Sequence, residues 1–304
     1  GAIKPATLCS MGFTDEVEIA LDEVVAAMPG GGEARAGQRT MARAVAETIA
    51  QGGHLVVQAG TGTGKTLAYL LATAMSGRKT VVATYTKALQ DQMVEADLPM
   101  VGRHIRSSTG RDFSFAVVKG WSNYLCLERV DEVRTSMRQG QLDGMVEQAS
   151  AEEVDRVMAW AETTPTGDRG DLDFDPEPST WGALSVSSDE CLGTSDCPFA
   201  GSCFPLMARR QAAEADVTVA NHALYAIDLA IGGFVLGDHD LVVLDEAHQL
   251  EESFTEAFGF RLTGGRLRWL ANLALRVLGR DDRVEKVREL GDRLVADMRN
   301  HGAA

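Results

Sequence analysis

Residues 58–66 read QAGTGTGKT. The stretch ends an apolar run, HLVVQA (54–59), and opens onto KTLAYLLATAM (65–75), whose apolar positions recur at helical spacing. A glycine-rich turn between a strand and a helix is where a phosphate-binding loop forms. Glycines let the chain turn tightly, so that successive N–H groups face phosphate oxygens at a helix N-terminus. Gly60, Thr61, Gly62, Thr63 and Gly64 are the expected cradle. Lys65 is spaced to reach the β- and γ-phosphates, and the Thr66 hydroxyl to ligate Mg²⁺. Ala59 stands where the strict pattern begins with glycine, a small residue that keeps the turn compact.

LVVLDEAH (241–248) supplies a second half-site. An apolar strand delivers two carboxylates at its C-terminal end, beside the place a phosphate loop takes in a parallel sheet. Asp245 is expected to hold Mg²⁺, through water, and Glu246 to orient or deprotonate an attacking water. Phosphoryl transfer asks for charge neutralisation and positioning, and these residue types provide both. His248 either relays nucleotide state or packs locally, and Gln38 is a candidate adenine contact. Together the two motifs read as a site for hydrolysis of ATP or GTP.

Around them strands and helices alternate. TDEVEIALDEVVAAM (14–28) and QRTMARAVAETIAQ (38–51) read as helices, KTVVATY (79–85) as a strand and KALQDQMVEAD (87–97) as a helix. This predicts βαβ units and an α/β fold with a parallel sheet. The rhythm weakens after residue 110 and resumes at ADVTVANH (215–222), so 111–209 is expected to be an insertion in a nucleotide-binding domain made of 1–110 and 210–250. The insertion's apolar pattern is too weak to predict a good core, and TPTGDRGDLDFDPEPST (164–180) reads as an exposed acidic loop. Residues 251–304 are expected to be helical, through LRWLANLALRVLG (267–279) and VEKVRELGDRLVADM (284–298).

The 304 residues carry a net charge of −15, but residues 151–190 alone hold eleven Asp or Glu against two Arg, or −9 of it. The overall charge therefore does not argue against a polyanionic partner elsewhere, and does not argue for one. No stretch reaches the roughly 18 apolar residues of a membrane span, and no signal-peptide pattern is present, so a cytoplasmic protein is the expectation. Thiols there stay reduced. Five cysteines make a disulfide framework a poor reading, and Cys126, Cys191, Cys197 and Cys203 instead form a candidate metal-ligand set, with 64, 5 and 5 residues between successive members. Four thiolates hold either a [4Fe–4S] cluster or Zn²⁺. The wide gaps lack the close pairs usual for zinc, and Cys197-Pro198 is similar to ferredoxin-type ligand runs. Cys9 lies outside the pattern and reads as a free thiol.

AGTGTGKT followed by LDEAH resembles a superfamily 2 helicase motor. With a cysteine-bearing insertion between the two, the chain resembles the DinG/XPD family of iron–sulfur DNA helicases from about residue 12 to 255. ATYTKALQDQM (83–93) is similar to the family's next motif, which implies that Thr84, Thr86 and Gln90 lie near DNA backbone or in the motor core. EARAGQRTM resembles the adenine-reading motif, which supports Arg35 and Gln38. VVKGWSNYLC (117–126) resembles the segment carrying the family's first cluster cysteine, and ARRQAAEADVTVANHAL (208–224), with Asn221 and His222, the stretch that leads from its last cysteine back into the motor.

The resemblance implies a RecA-like motor domain with an inserted cluster domain and the start of a helical arch. It further implies ATP, Mg²⁺ and a [4Fe–4S] cluster as cofactors, single-stranded or forked DNA as partner, 5′-to-3′ movement and a monomer. Lys119, Trp121, Tyr124 and Arg129 are candidates for stacking on bases and touching phosphates, or for local packing. Trp121 and Gln58 depart from the residues the family often has, basic and acidic respectively. The second motor domain and its arginine fingers are expected to be absent from these residues, which would leave them unable to unwind DNA alone. A binding or redox-sensing module without motor activity, and a zinc-containing motor, are the competing expectations.

Overall fold

The computed structural model describes residues 12–138, 150–259 and 281–301, apart from positions 29, 33 and 61, together with 267, 270, 271, 274 and 275. Two compact units divide the chain at residues 257 and 258.

The first unit is built on a parallel sheet. Strand β1 (Thr80–Thr84) lies between β3 (Val217–Asn221) and β4 (Leu241–Leu244), and β2 (Phe115–Val117) pairs with the far side of β3, so the order is β2-β3-β1-β4. Thr84 faces Asn221 and Ala83 faces Leu244, which brings the C-terminal ends of β1, β3 and β4 to one edge. Side chains alternate between the two faces, as the two-residue period of a strand requires. Val82, Val217 and Val219 join a core with the helices α1 (Phe13–Ala26), α2 (Ala36–Gln51) and α3 (Lys65–Ser76). Val81, Ala83 and Ala220 face the opposite way, toward α10 (His222–Ala230) and the chain before β4. This is the RecA-like α/β arrangement that the sequence predicts.

One expected strand is different. HLVVQA runs into the phosphate loop without joining the sheet among the described residues. Val56 is 95% exposed, with Leu55 and Val57 also exposed. An apolar run specifies burial, whereas a strand also needs a partner edge, and β4 pairs only with β1 here.

β1 leads into a long helical stretch: α4 (Lys87–Gln92), a π turn (Met93–Asp97) and α5 (Leu98–Thr109). The insertion that follows β2 corrects the sequence reading. It carries its own core, in which Tyr124, Leu125, Trp181, Leu184 and Phe204 pack with α6 (Leu127–Arg138) and α7 (Ala151–Ala161). The acidic stretch is partly built in. Tyr124 bridges to Asp168, and Leu125 to Ser185 just past α8 (Pro178–Leu184). Helix α9 (Phe204–Glu214) then returns the chain to β3, and α11 (Leu250–Phe258) follows β4.

The expected helix at 284–298 lies within α12 (Asp282–His301), while the one at 267–279 falls largely outside the described residues. None of the described helices is long and apolar enough to cross a membrane.

Candidate nucleotide site and cysteine group

Gly62 (φ 72°) and Gly64 (φ 79°) turn the phosphate loop through left-handed backbone that a side chain would strain. At Gly64 a Cβ would also lie 2.4 Å from Gln38 Nε2, so only glycine fits the spot as packed. The Gln38 amide donates to the Gly64 carbonyl at 3.2 Å, the Arg35 guanidinium donates to the Gly62 carbonyl, and the Thr63 hydroxyl donates to Gly60 O at 2.9 Å. Arg35 and Gln38, expected on sequence resemblance to read adenine, thus brace the loop. Thr61 lies outside the described residues. Lys65 and Thr66 open α3, where unpaired N–H groups and the helix dipole favour an anion.

The DEAH residues meet this helix. Lys65 Nζ is 3.0 Å from Glu246 Oε1, and both side chains are only partly exposed. Asp245 is buried, and its backbone N–H donates to Ala83 O at 2.9 Å, continuing the β4–β1 ladder into the acidic turn. Its carboxylate is held twice: the Glu246 backbone N–H donates to Oδ1 at 3.1 Å, and the Tyr69 hydroxyl to Oδ2 at 3.2 Å. Burial, followed by the Asp245 charge, holds the Tyr69 phenol well above its usual pKa, so it stays a donor. Glu246 is the one described non-glycine residue with positive φ (54°), a left-handed conformation that turns its side chain back toward Lys65. His248 is mostly exposed, with Nδ1 3.5 Å from Glu246 Oε2.

Sequence reasoning singled out neither Tyr69 nor the detail of His222. Tyr69 lies one helical turn beyond Lys65, a spacing that would have flagged it as sharing that face. His222 Nε2 is 2.8 Å from the Asp245 carbonyl, and burial lowers the imidazole's pKa. Its ring therefore ties the start of α10 to the acidic turn. Thr84 and Gln90 are almost fully buried and belong to the motor core, whereas Thr86 is exposed and caps α4 by accepting from the Leu89 N–H. Asn221 caps α10 in the same way, through Leu224 N–H.

The four insertion cysteines are half-buried and unbridged. Burial is the main cause pushing the Cys126 and Cys203 thiols up. The Cys197 charge adds to both, the Cys191 charge also bears on Cys203, and the Arg209 guanidinium opposes the rise at Cys203. No three His, Cys, Asp or Glu among the described residues are grouped closely enough to hold an ion.

The neighbouring DNA candidates are engaged within the protein. Lys119 is largely buried and pairs with Asp168 at 2.7 Å, and the buried Tyr124 hydroxyl accepts from its backbone N–H. Arg129 pairs with Glu132, and Arg209 lies 5.1 Å from the Trp121 ring centre. For Lys119 and Tyr124, local packing is what the structure shows.

The DEAD/DEAH box helicase family matches residues 39–110. The ATP-dependent helicase DinG of Mycobacterium tuberculosis is 41% identical over 259 residues, covering 82% of this chain and 39% of that protein. Over 82% of its length the chain is similar to a DinG-like superfamily 2 helicase. The ATP-dependent DNA helicase YoaA of Escherichia coli is 38% identical (82% of this chain, 38% of that protein), and the 3′-5′ exonuclease DinG of Bacillus subtilis 30% (81% and 25%). The chain thus spans well under half the length of the relatives it matches.

Proposed function

We propose that this chain is the ATP-binding first motor part of an ATP-dependent DNA helicase acting on single-stranded or forked DNA. The observation that carries the reading is the 3.0 Å approach of Lys65 to Glu246 across an otherwise preorganised phosphate loop and acidic turn. Lys65 and the first N–H groups of α3 would receive the β- and γ-phosphates, and Thr66 and Asp245 would hold Mg²⁺, which neutralises phosphate charge when bound. A γ-phosphate would compete with Glu246 for Lys65 and free that carboxylate to orient water. A motor of this kind closes against a second domain that supplies arginine fingers, and such a finger is worth about 10³–10⁵ in rate in phosphate-loop NTPases.

The cysteines support a finer reading. Cys126, Cys191, Cys197 and Cys203, all unbridged and half-buried, suit a [4Fe–4S] cluster in donor type. Such a group, when bound, would staple the loop 187–203 to α6. A 5′-to-3′ direction, a cytoplasmic location and a monomeric state belong to the same proposal and rest on family resemblance.

In the full-length protein, Lys65→Ala is expected to abolish ATP-driven unwinding while DNA binding persists, measured on a forked duplex beside a DNA-binding assay. Unwinding retained by that variant would overturn the assignment.

A further inference from the structure

Tyr69 has no part in the motifs, yet its hydroxyl occupies the middle of the site. The phenol is 2% exposed, on the helix that begins with Lys65 and Thr66. A hydroxyl that deep needs a partner, since leaving it unsatisfied forfeits its bond to water without replacing it. Tyr69 has a charged partner, Asp245 Oδ2 at 3.2 Å, and Thr66, three residues before it on the same helix, lies on the same helical face. It therefore touches one of the residues assigned to Mg²⁺ and shares a helical face with the other. On its far side Met93 Sδ, the first residue of the π turn, is 3.9 Å away, a much weaker acceptor. With the Glu246 N–H on Oδ1, both oxygens of Asp245 are engaged, and the carboxylate plane is set before any ligand arrives.

We infer that Tyr69 is a positioning residue for the metal, its hydroxyl orienting the Asp245 carboxylate toward a divalent cation shared with Thr66. The inference rests on the nucleotide-site reading above. The hydroxyl does not meet the nucleotide. Its effect is on the metal's share of binding, and phosphate contacts through Lys65 and the loop do not depend on it. Phenylalanine would keep the ring and its packing and remove only the donor.

The test is binding of a fluorescent ATP analogue to this chain, titrated with Mg²⁺ and repeated in EDTA, for the wild type and Tyr69→Phe. Loss of a hydrogen bond to a charged group is expected to raise the Mg²⁺ concentration at half-saturation roughly tenfold. Affinity in EDTA should be unchanged, and the melting temperature should fall by only a few degrees. Equal Mg²⁺ midpoints in the two proteins would overturn the inference and leave the nucleotide site standing. So would an equal loss of affinity with and without Mg²⁺, which would mark Tyr69 as a purely structural residue. A wild type whose nucleotide binding ignores Mg²⁺ would overturn the nucleotide-site reading as well. Mn²⁺ resonance spectra of the bound metal give a second readout: an altered coordination signature in Tyr69→Phe supports the inference, and an identical one counts against it.

Discussion

At the scale of single residues, Glu246 carries the sharpest constraint. A non-glycine residue in the left-handed region costs of order 1–3 kcal/mol, and here it turns a carboxylate onto Lys65. In the proposed reading, the charge that would serve hydrolysis would also compete with phosphate for the lysine. Glu246→Gln should separate the two effects. Without the negative charge, Lys65 is left for phosphate, so ATP binding is expected to be as tight as in the wild type or tighter. Hydrolysis by the full-length protein should fall by about 10²–10⁴, the usual contribution of a positioned general base. Equilibrium binding and single-turnover rates on the same preparations check both halves. Lys65, Asp245 and Glu246 were legible because their spacing is local. Tyr69 and His222 were not, because their roles arise only where α3, α10 and the end of β4 meet.

At the scale of elements, periodicity identified most helices and strands, and its failures have physical causes. HLVVQA and β4 are both continuous apolar runs, the pattern of strands buried on two faces. In the structure Val56 is almost bare, and Val242 and Leu244 are each 37% exposed, because pairing depends on neighbours the run itself does not encode. The insertion's core escaped notice for the opposite reason: its apolar residues come from separate short segments and make no long periodic run. The helical stretch after β1 was legible, but the π turn within it was not. That turn ends at Asp97, whose carboxyl is pushed up by burial while the Gln92 amide pulls the other way. A folded pKa above the unfolded value means that the folded state binds more protons between the two. Stability therefore falls as pH rises through that window, and the cost persists at neutral pH. Asp97→Asn is expected to raise the melting temperature by about 1–3 °C at pH 7, and the gain should shrink as pH drops toward 3. Thermal melts of the two proteins across that range measure it.

At the scale of the whole first unit, the motor and its insertion are joined by more than covalent continuity. Lys119 leaves the end of β2 and pairs with Asp168 of the insertion at 2.7 Å, with Asp91 of α4 at 3.7 Å on its other side. Lys119 is 10% exposed and Asp168 15%, so the pair is desolvated enough that its members are costly apart. Asp91 is half-exposed, and its share is screened. The sequence places Lys119 beside a cysteine and invites a DNA role, whereas the fold spends its charge on an internal tie. Lys119→Met removes the ammonium and leaves Asp168 buried without its partner, at an expected cost of about 3 kcal/mol. Adding Asp168→Leu removes the stranded carboxylate and should return much of that loss, because an apolar pair of similar volume is often as stable as the ions it replaces. Urea unfolding of the single and double variants measures both steps. Hydrogen exchange then locates them: the single variant should lose protection first around Tyr124 and residues 165–171, while β1 and β3 keep theirs. A Lys119→Met protein as stable as the wild type, with DNA affinity reduced instead, would return Lys119 to the DNA-binding surface and show the tie to be dispensable.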